Sequence, residues 1–282
     1  MPFRIVQSKQ NSRVKELRRA LANPSREKGG LAGIEGPNLL IEAVRAGLRI
    51  HCVFATEGNE EWLERQAFST ETEVLIVPQE VLRTALTTET PQPIAALVEP
   101  FDWIWRDILE GGVDGEDKTE PLVLVLAGLQ DPGNVGTILR SAEAFGATGV
   151  ISLPGTVSAW NPKSVRASAG SVLRIPLIEA NPENAVAYLR ESGIEVLVTT
   201  AVAGLSADRA RLSDPVAFLI GNEGNGVPEG IAALADGAIT IPCPGPVESL
   251  NAAIAASVLL YEASRQRSTQ ISDAANPQRE VR

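Results

Sequence analysis

Between residues 122 and 242 six short apolar runs recur: LVLVLA (122–127), GVISL (149–153), RIPLI (174–178), EVLVTT (195–200), VAFLI (216–220) and AITIP (238–242). Segments with helical spacing separate most of them. Near-continuous Val, Ile and Leu is what a strand carries when both faces of its sheet are covered, and strands alternating with helices pair in parallel. The pattern predicts an α/β domain with a mostly parallel sheet and helices on both faces. At 282 residues the chain is too long for that domain alone.

Residues 1–98 read as a second, smaller α/β domain. Its elements are a basic helix near 11–22, a turn and helix over 33–47, strands HCVFAT (51–56) and EVLIVP (73–78), a helix QEVLRTAL (79–86) and a strand PIAALVE (93–99). Over 99–120 eight acidic residues meet two basic ones, and Gly111, Gly112 and Gly115 interrupt any periodicity. This predicts a linker whose start, Trp103 to Leu109, suits a short helix. The larger domain then occupies 121–267. The tail 268–282, STQISDAANPQREVR, is polar and aperiodic and is expected to be disordered.

Composition removes several chemistries. The longest apolar stretches end after about six to twelve residues, and MPFRIVQSKQNSR has no hydrophobic centre. Neither a membrane span nor a secretory signal is expected, which points to the cytoplasm. Cys52 and Cys243 are the only cysteines and His51 is the single histidine. A disulfide framework, a Cys/His zinc site and a His-dependent triad therefore lack their residues, and no metal is expected.

The net charge of −10 argues at first against a nucleic-acid partner. The average conceals an asymmetry. Residues 1–28 hold eight Lys and Arg, among them Lys9, Arg13, Lys15, Arg18 and Arg19, against Glu16 and Glu27, a local +6 beside −16 for the remainder. A basic end on an acidic protein is a binding arm or a solvated helix face, and charge alone leaves both open.

Ligands of open α/β sheets bind outside the carboxyl ends of the strands, so the loops after strands are where chemistry is sought. In GLQDPGNVGTILRSAEAFGATGV (128–150) Asp131 to Asn134 form a turn, and Ile138, Ala142 and Phe145 mark the buried stripe of a helix. Arg140 falls off that stripe, facing the loops or pairing with Glu143 or Glu35 as a surface arginine. In FLIGNEGNGVPEG (218–230) Gly221, Gly224 and Gly226 surround Asn222, Glu223 and Asn225. Clustered glycines let backbone amides approach a ligand, although the spacing is neither the dinucleotide fingerprint nor a P-loop. In ITIPCPGPVESLNAAIAASVLLYEASRQR (239–267) a Pro/Gly-rich loop leads to Ser249 as N-cap, with Asn251 just inside the helix. That helix is apolar on almost every face, so it lies at the centre of a monomer or is covered by a second subunit.

Taken together, these stretches resemble the three signature motifs of the SpoU-type RNA 2′-O-ribose methyltransferases of the SPOUT superfamily. N-x-G-x-x-x-R occupies 134–140, G-N-E-G-x-G 221–226 and I-P-x-x-G-x-x-x-S-L-N 241–251, in order, within a match over most of 121–265. The smaller domain resembles that family's L30e-like substrate-binding domain, most typically in IEGPNLLIEA (34–43), with Pro91-Gln92-Pro93 standing where Pro-Gln-Gly is frequent. The resemblance implies a sheet tied in a trefoil knot, S-adenosyl-L-methionine bound in the knot's loops, and a homodimer with active sites near the interface. It implies that Arg140 carries catalysis, that Asn134 and Glu223 order the loop around Arg140 and the ribose, and that Ser249 and Asn251 support the knot and face the methyl-transfer region. Cofactor contacts are implied at Gly221, Asn222, Gly224, Ile241, Ser249 and Leu250, with Thr199 and Thr200 at an earlier strand end. A guanidinium, with a pKa above ~12, is a reluctant base, so the favoured role for Arg140 is to hold the adjacent phosphate and stabilise the emerging alkoxide.

The implied substrate is structured RNA, foremost 23S ribosomal RNA, with Arg166 and Arg174 extending the basic surface. Aromatics make up 4% of the chain, which favours recognition of RNA shape over base stacking. Trp103, Trp105 and Trp160 are expected to pack. Two alternatives are a non-catalytic RNA-binding or ribosome-assembly factor that retains the fold, and a tRNA 2′-O-methyltransferase. Intact Asn134, Arg140, Glu223 and Asn251 weigh against the first.

Overall fold

The computed structural model describes residues 3–24, 29–110, 120–222 and 224–275. In chain order the elements begin β1 (Phe3–Ile5), α1 (Ser12–Ala22), β2 (Ala32–Glu35), α2 (Pro37–Arg45), β3 (Arg49–Ala55), α3 (Glu60–Glu64), β4 (Glu73–Ile76), α4 (Gln79–Arg83) and β5 (Ile94–Glu99). They continue with α5 (Trp105–Glu110), β6 (Leu122–Ala127), α6 (Pro132–Ala144), β7 (Gly149–Ser152), α7 (Pro162–Ala167), β8 (Leu177–Glu179), α8 (Pro182–Glu191), β9 (Glu195–Thr200), β10 (Leu205–Ser206), β11 (Val216–Gly221), α9 (Glu229–Ala232), β12 (Gly237–Thr240) and α10 (Ala252–Ala275).

The chain divides into two compact units, and the division cuts across the sequence boundaries. Residues 1–102 form the first together with 158–174, while 103–157 and 175–282 form the second. After β7 the chain leaves the second sheet, and α7 packs on β2 of the first unit. The first sheet has the order β1-β4-β3-β5-β2 and is mixed, β3–β5 and β5–β2 being antiparallel. Residues 33–35, the start of the segment 33–47 expected as turn then helix, form with Ala32 its edge strand. Gly33 allows this, because a Cβ there would lie 2.7 Å from Cγ of Leu21 on α1.

In the second unit seven strands, all parallel, run in the order β10-β12-β9-β11-β6-β7-β8 among the described residues. This is the parallel α/β sheet that the apolar runs predict. Every residue of β6 and β11 is buried. Alternate residues point to opposite faces. Val123, Val125 and Ala127 pack with Ile108 of α5 and with Ala185, Val186 and Leu189 of α8, while α6 and α10 pack against each other, α6 also touching β7 and α10 touching β11. β8 starts three residues later than the run 174–178 suggests, because Gly170 at φ +95° opens a 3-10 turn over Ser171–Leu173.

The disordered tail expected from residue 268 is corrected by α10, which continues to Ala275; residues 276–282 lie outside the described residues. Its anchor is Arg267. The half-buried guanidinium donates to the carbonyls of Leu212 (3.2 Å), Pro121 (3.0 Å), Asp214 (3.0 Å) and Glu120. Burial lowers its pKa from the ordinary arginine value, with Glu120 and Asp214 opposing. Beside it, Gln266 accepts from the amide of Leu212 at 2.9 Å and donates to the Ala210 carbonyl at 3.1 Å. Arg267→Ala strips donors from partly buried carbonyls and is expected to cost about 2–3 kcal/mol, read as a lower denaturant midpoint in chemical unfolding.

Candidate active site

Parallel pairing aligns the strand ends that carry the site. β11 and β6 run in step from Val216 beside Leu122 to Gly221 beside Ala127, and Thr240 of β12 lies beside Thr200 of β9. The loops leaving these ends therefore share one edge of the sheet, where α/β folds bind ligands.

Each loop is shaped by local chemistry. Asp131 accepts from the amide of Gly133 at 2.9 Å and Pro132 occupies the first helical position, so α6 begins earlier than the expected turn and Asn134 sits in its first turn. The second loop is a tight hairpin. Asn222 N donates to Gly226 O (3.1 Å), Gly226 N to Asn222 O (2.8 Å), and Gly224 N to the Asn222 side chain (2.8 Å). At Gly221 a Cβ would lie 2.2 Å from the Gly226 carbon and the Val227 nitrogen, so the turn closes only over a glycine. In the third loop Asn251 is the cap, in place of the expected Ser249. Its Oδ1 accepts from the amides of Ala253 (2.9 Å) and Ile254 (3.3 Å), two and three residues on, a reach Ser249 does not have.

Side chains tie the three loops together. Asn251 Nδ2 donates to Asn134 Oδ1 at 3.1 Å, joining the first and third, and Asn222 Nδ2 donates to the Gly128 carbonyl at 3.4 Å, joining the second and first. One amide thus caps α10 with its oxygen and holds Asn134 with its nitrogen. Behind them the Ser141 and Ser257 hydroxyls of α6 and α10 are 2.7 Å apart.

A cavity of about 400 Å³ opens beside these loops. All eight residues singled out for a cofactor line it: Thr199, Thr200, Gly221, Asn222, Gly224, Ile241, Ser249 and Leu250. Ile220, Ile239 and Leu259 add apolar wall, and Cys243 and Glu248, which the sequence reading passed over, also line it. Their signal was position alone, since both fall inside the I-P-x-x-G-x-x-x-S-L-N stretch. The volume, the apolar wall and a few hydroxyl and amide groups suit a nucleoside-sized ligand.

Of the remaining expected catalytic residues, Asn134, Arg140 and Asn251 are not among those lining the cavity. Asn134 and Asn251 are bonded to one another, and Arg140 is exposed on α6, two residues past Ile138 of its buried stripe. Among the described residues no hydrogen bond or ion pair engages Arg140. Glu223 lies outside the described residues.

In the first unit the basic residues separate by role. Arg13 is held by Glu16 and Glu73, each at 2.9 Å, and these bonds raise its pKa further above the ordinary value. Arg18 donates to the carbonyl and hydroxyl of Thr84, both at 2.8 Å, and Arg174 pairs with Glu42 at 2.5 Å. These three cations are engaged within the first unit. Lys9, Lys15, Arg19 and Arg166 are exposed. Buried Glu35 accepts from Thr88 Oγ1 (2.5 Å) and from the amide of Gln92 (3.0 Å), fixing the Pro91-Gln92-Pro93 loop. Trp105 packs, its ring 4.5 Å from that of Tyr188.

Comparison with known proteins agrees with this geometry. Residues 121–261 match the SpoU rRNA Methylase family and residues 11–96 the MRM3-like substrate binding domain. The chain is 30% identical over 258 residues to the 23S rRNA (guanosine(2553)-2′-O)-methyltransferase RlmP of Bacillus subtilis, covering 91% of this chain and 97% of that protein. The SpoU methyltransferase AviRb of Streptomyces viridochromogenes, solved in complex with AdoMet, is similar at 28% identity and TM-score 0.79, covering 92% of this chain and 99% of that one. The AdoMet-bound rRNA methyltransferase of Sinorhizobium meliloti is similar at 31% identity and TM-score 0.79, covering 93% and 98%. A family match over half the chain, together with the 30% identity to RlmP over 91% of this chain, places this protein in the SpoU methyltransferase family.

Proposed function

We propose that this protein transfers a methyl group from S-adenosyl-L-methionine to a ribose 2′-hydroxyl of structured RNA, with 23S ribosomal RNA as the substrate. The carrying observation is a nucleoside-sized cavity lined by the second and third motif loops and the end of β9, with the first motif loop tied to both through Asn134–Asn251 and Asn222–Gly128. The full-length similarity to a 23S rRNA enzyme supports the choice of RNA. Incubating the protein with labelled S-adenosyl-L-methionine and separated 23S, 16S and transfer RNAs tests it. Label entering 23S RNA is the expected result, and label entering only transfer RNA refutes the assigned substrate.

When bound, the cofactor supplies an electrophilic methyl on a sulfonium centre. Ile241 and Leu250 give an adenine its apolar wall, while Thr199, Thr200, Asn222 and Ser249 offer hydroxyl and amide groups that fix its orientation. Asn134 and Asn251 hold the start of α6 against the third loop, which sets where Arg140 stands two turns further along. Arg140 holds the RNA phosphate next to the target ribose and stabilises negative charge on the 2′-oxygen as its proton leaves to phosphate or water. Glu223 orders the loop around the ribose. Lys9, Lys15, Arg19 and Arg166 attract the RNA backbone without regard to sequence.

The proposal includes a cytoplasmic location, where that RNA resides, a trefoil knot in the second unit, and a homodimer. Support for the dimer comes from α10, where Ile254, Val258 and Tyr261 are 51%, 37% and 55% exposed along one stripe. A helix apolar all round leaves that face uncovered in one subunit. Tyr261→Glu is expected to shift the protein from dimer to monomer in sedimentation at micromolar concentration; an unchanged dimer would place the interface elsewhere.

A further inference from the structure

The described wall of the cavity is electrically lopsided. Among its described residues Glu248 carries the only carboxylate, none carries a cation, and the one other ionisable group is the Cys243 thiol. Glu248 directly precedes Ser249 and Leu250, is exposed, and makes no hydrogen bond or ion pair among the described residues. Among the described residues its charge serves no structural partner, and it stands at the edge of a concave site where apolar walls strengthen the field of a charge.

Resting on the proposed reaction, we infer that Glu248 lets the site distinguish the methyl donor from the demethylated product. S-adenosyl-L-methionine and S-adenosyl-L-homocysteine share the adenosine, the ammonium and the carboxylate. They differ by one methyl and by the positive charge on sulfur. Ile241 and Leu250 have no means of sensing that charge, whereas a carboxylate attracts the sulfonium and loses the attraction once the methyl has left. Glu248 is in this sense a specificity residue, favouring entry of donor and departure of product.

Calorimetric titration of the full-length protein with each ligand in turn tests this without reference to turnover. Glu248→Gln, isosteric and at an exposed position, is expected to weaken S-adenosyl-L-methionine about threefold to fivefold while leaving S-adenosyl-L-homocysteine unchanged. Glu248→Asp keeps the charge and is expected to restore most of the preference. Raising salt is expected to reduce the preference of the wild type and to leave that of Glu248→Gln flat. Equal weakening of both ligands would assign the carboxylate to the shared ammonium and overturn the inference, as would no change in either. A wild-type protein that binds neither ligand would overturn the proposed function along with it.

Discussion

Gly221→Ala is expected to weaken S-adenosyl-L-methionine binding at least about tenfold while the sheet stays folded. The added methyl would sit 2.2 Å from the Gly226 carbon and the Val227 nitrogen and 2.4 Å from the Gly226 oxygen. These are backbone atoms, which do not rotate away as a side-chain tip does. Relief requires opening the Asn222–Gly226 hairpin, and with it the Asn222 bond to Gly128. Overpacking of this kind costs about 1–3 kcal/mol, and here the cost falls on a loop that lines the cavity. Gly230→Ala is the control, since a Cβ there meets nothing within 4 Å. Calorimetry on both variants checks the pair. Wild-type affinity in Gly221→Ala would mean that the hairpin does not shape the site.

Arg140→Ala is expected to lower methyl transfer by about a hundredfold to a thousandfold with no change in cofactor affinity. The two halves of this expectation rest on separate observations. Arg140 is absent from the cavity wall and has no partner among the described residues, so its loss leaves the cofactor site and the fold intact. It stands on α6, whose first turn Asn251 fixes through Asn134, so its loss removes an exposed cation from the helix that the third loop positions. Arg140→Lys keeps the charge and loses the two-pronged geometry, and is expected to recover only a small part of the rate. Single-turnover transfer to RNA, measured alongside cofactor titration, separates the two halves. Weaker cofactor binding in Arg140→Ala would contradict the assigned role.

Much of this was legible in the sequence because it depends on pattern. Unbroken apolar runs such as LVLVLA name their strands, since few other environments accept them, and parallel pairing then fixes which loops are neighbours. The lining of the cavity was legible for the same reason, its wall being made of loops that follow aligned strand ends. Other features depend on partners distant in sequence. Residues 32–35 form a strand only because β5 lies beside them and Leu21 fills the space above Gly33. Residues 158–174 leave the second unit because α7 finds β2, a preference that no local periodicity records. Helix α10 outlasts its apolar stripe because Arg267 has four carbonyls to grip. Charge counting does not reveal such pairings either: Arg13 and Arg18 are engaged by Glu16, Glu73 and Thr84.

The central claim is that the methyl group goes to a ribose oxygen, and alkaline digestion of the labelled RNA reads that atom directly. Alkali cleaves a phosphodiester by attack of the neighbouring 2′-oxygen, so a methyl on that oxygen blocks the cut. Label recovered in alkali-resistant dinucleotides is the predicted result, and label recovered in mononucleotides would place the methyl on a base and contradict the account.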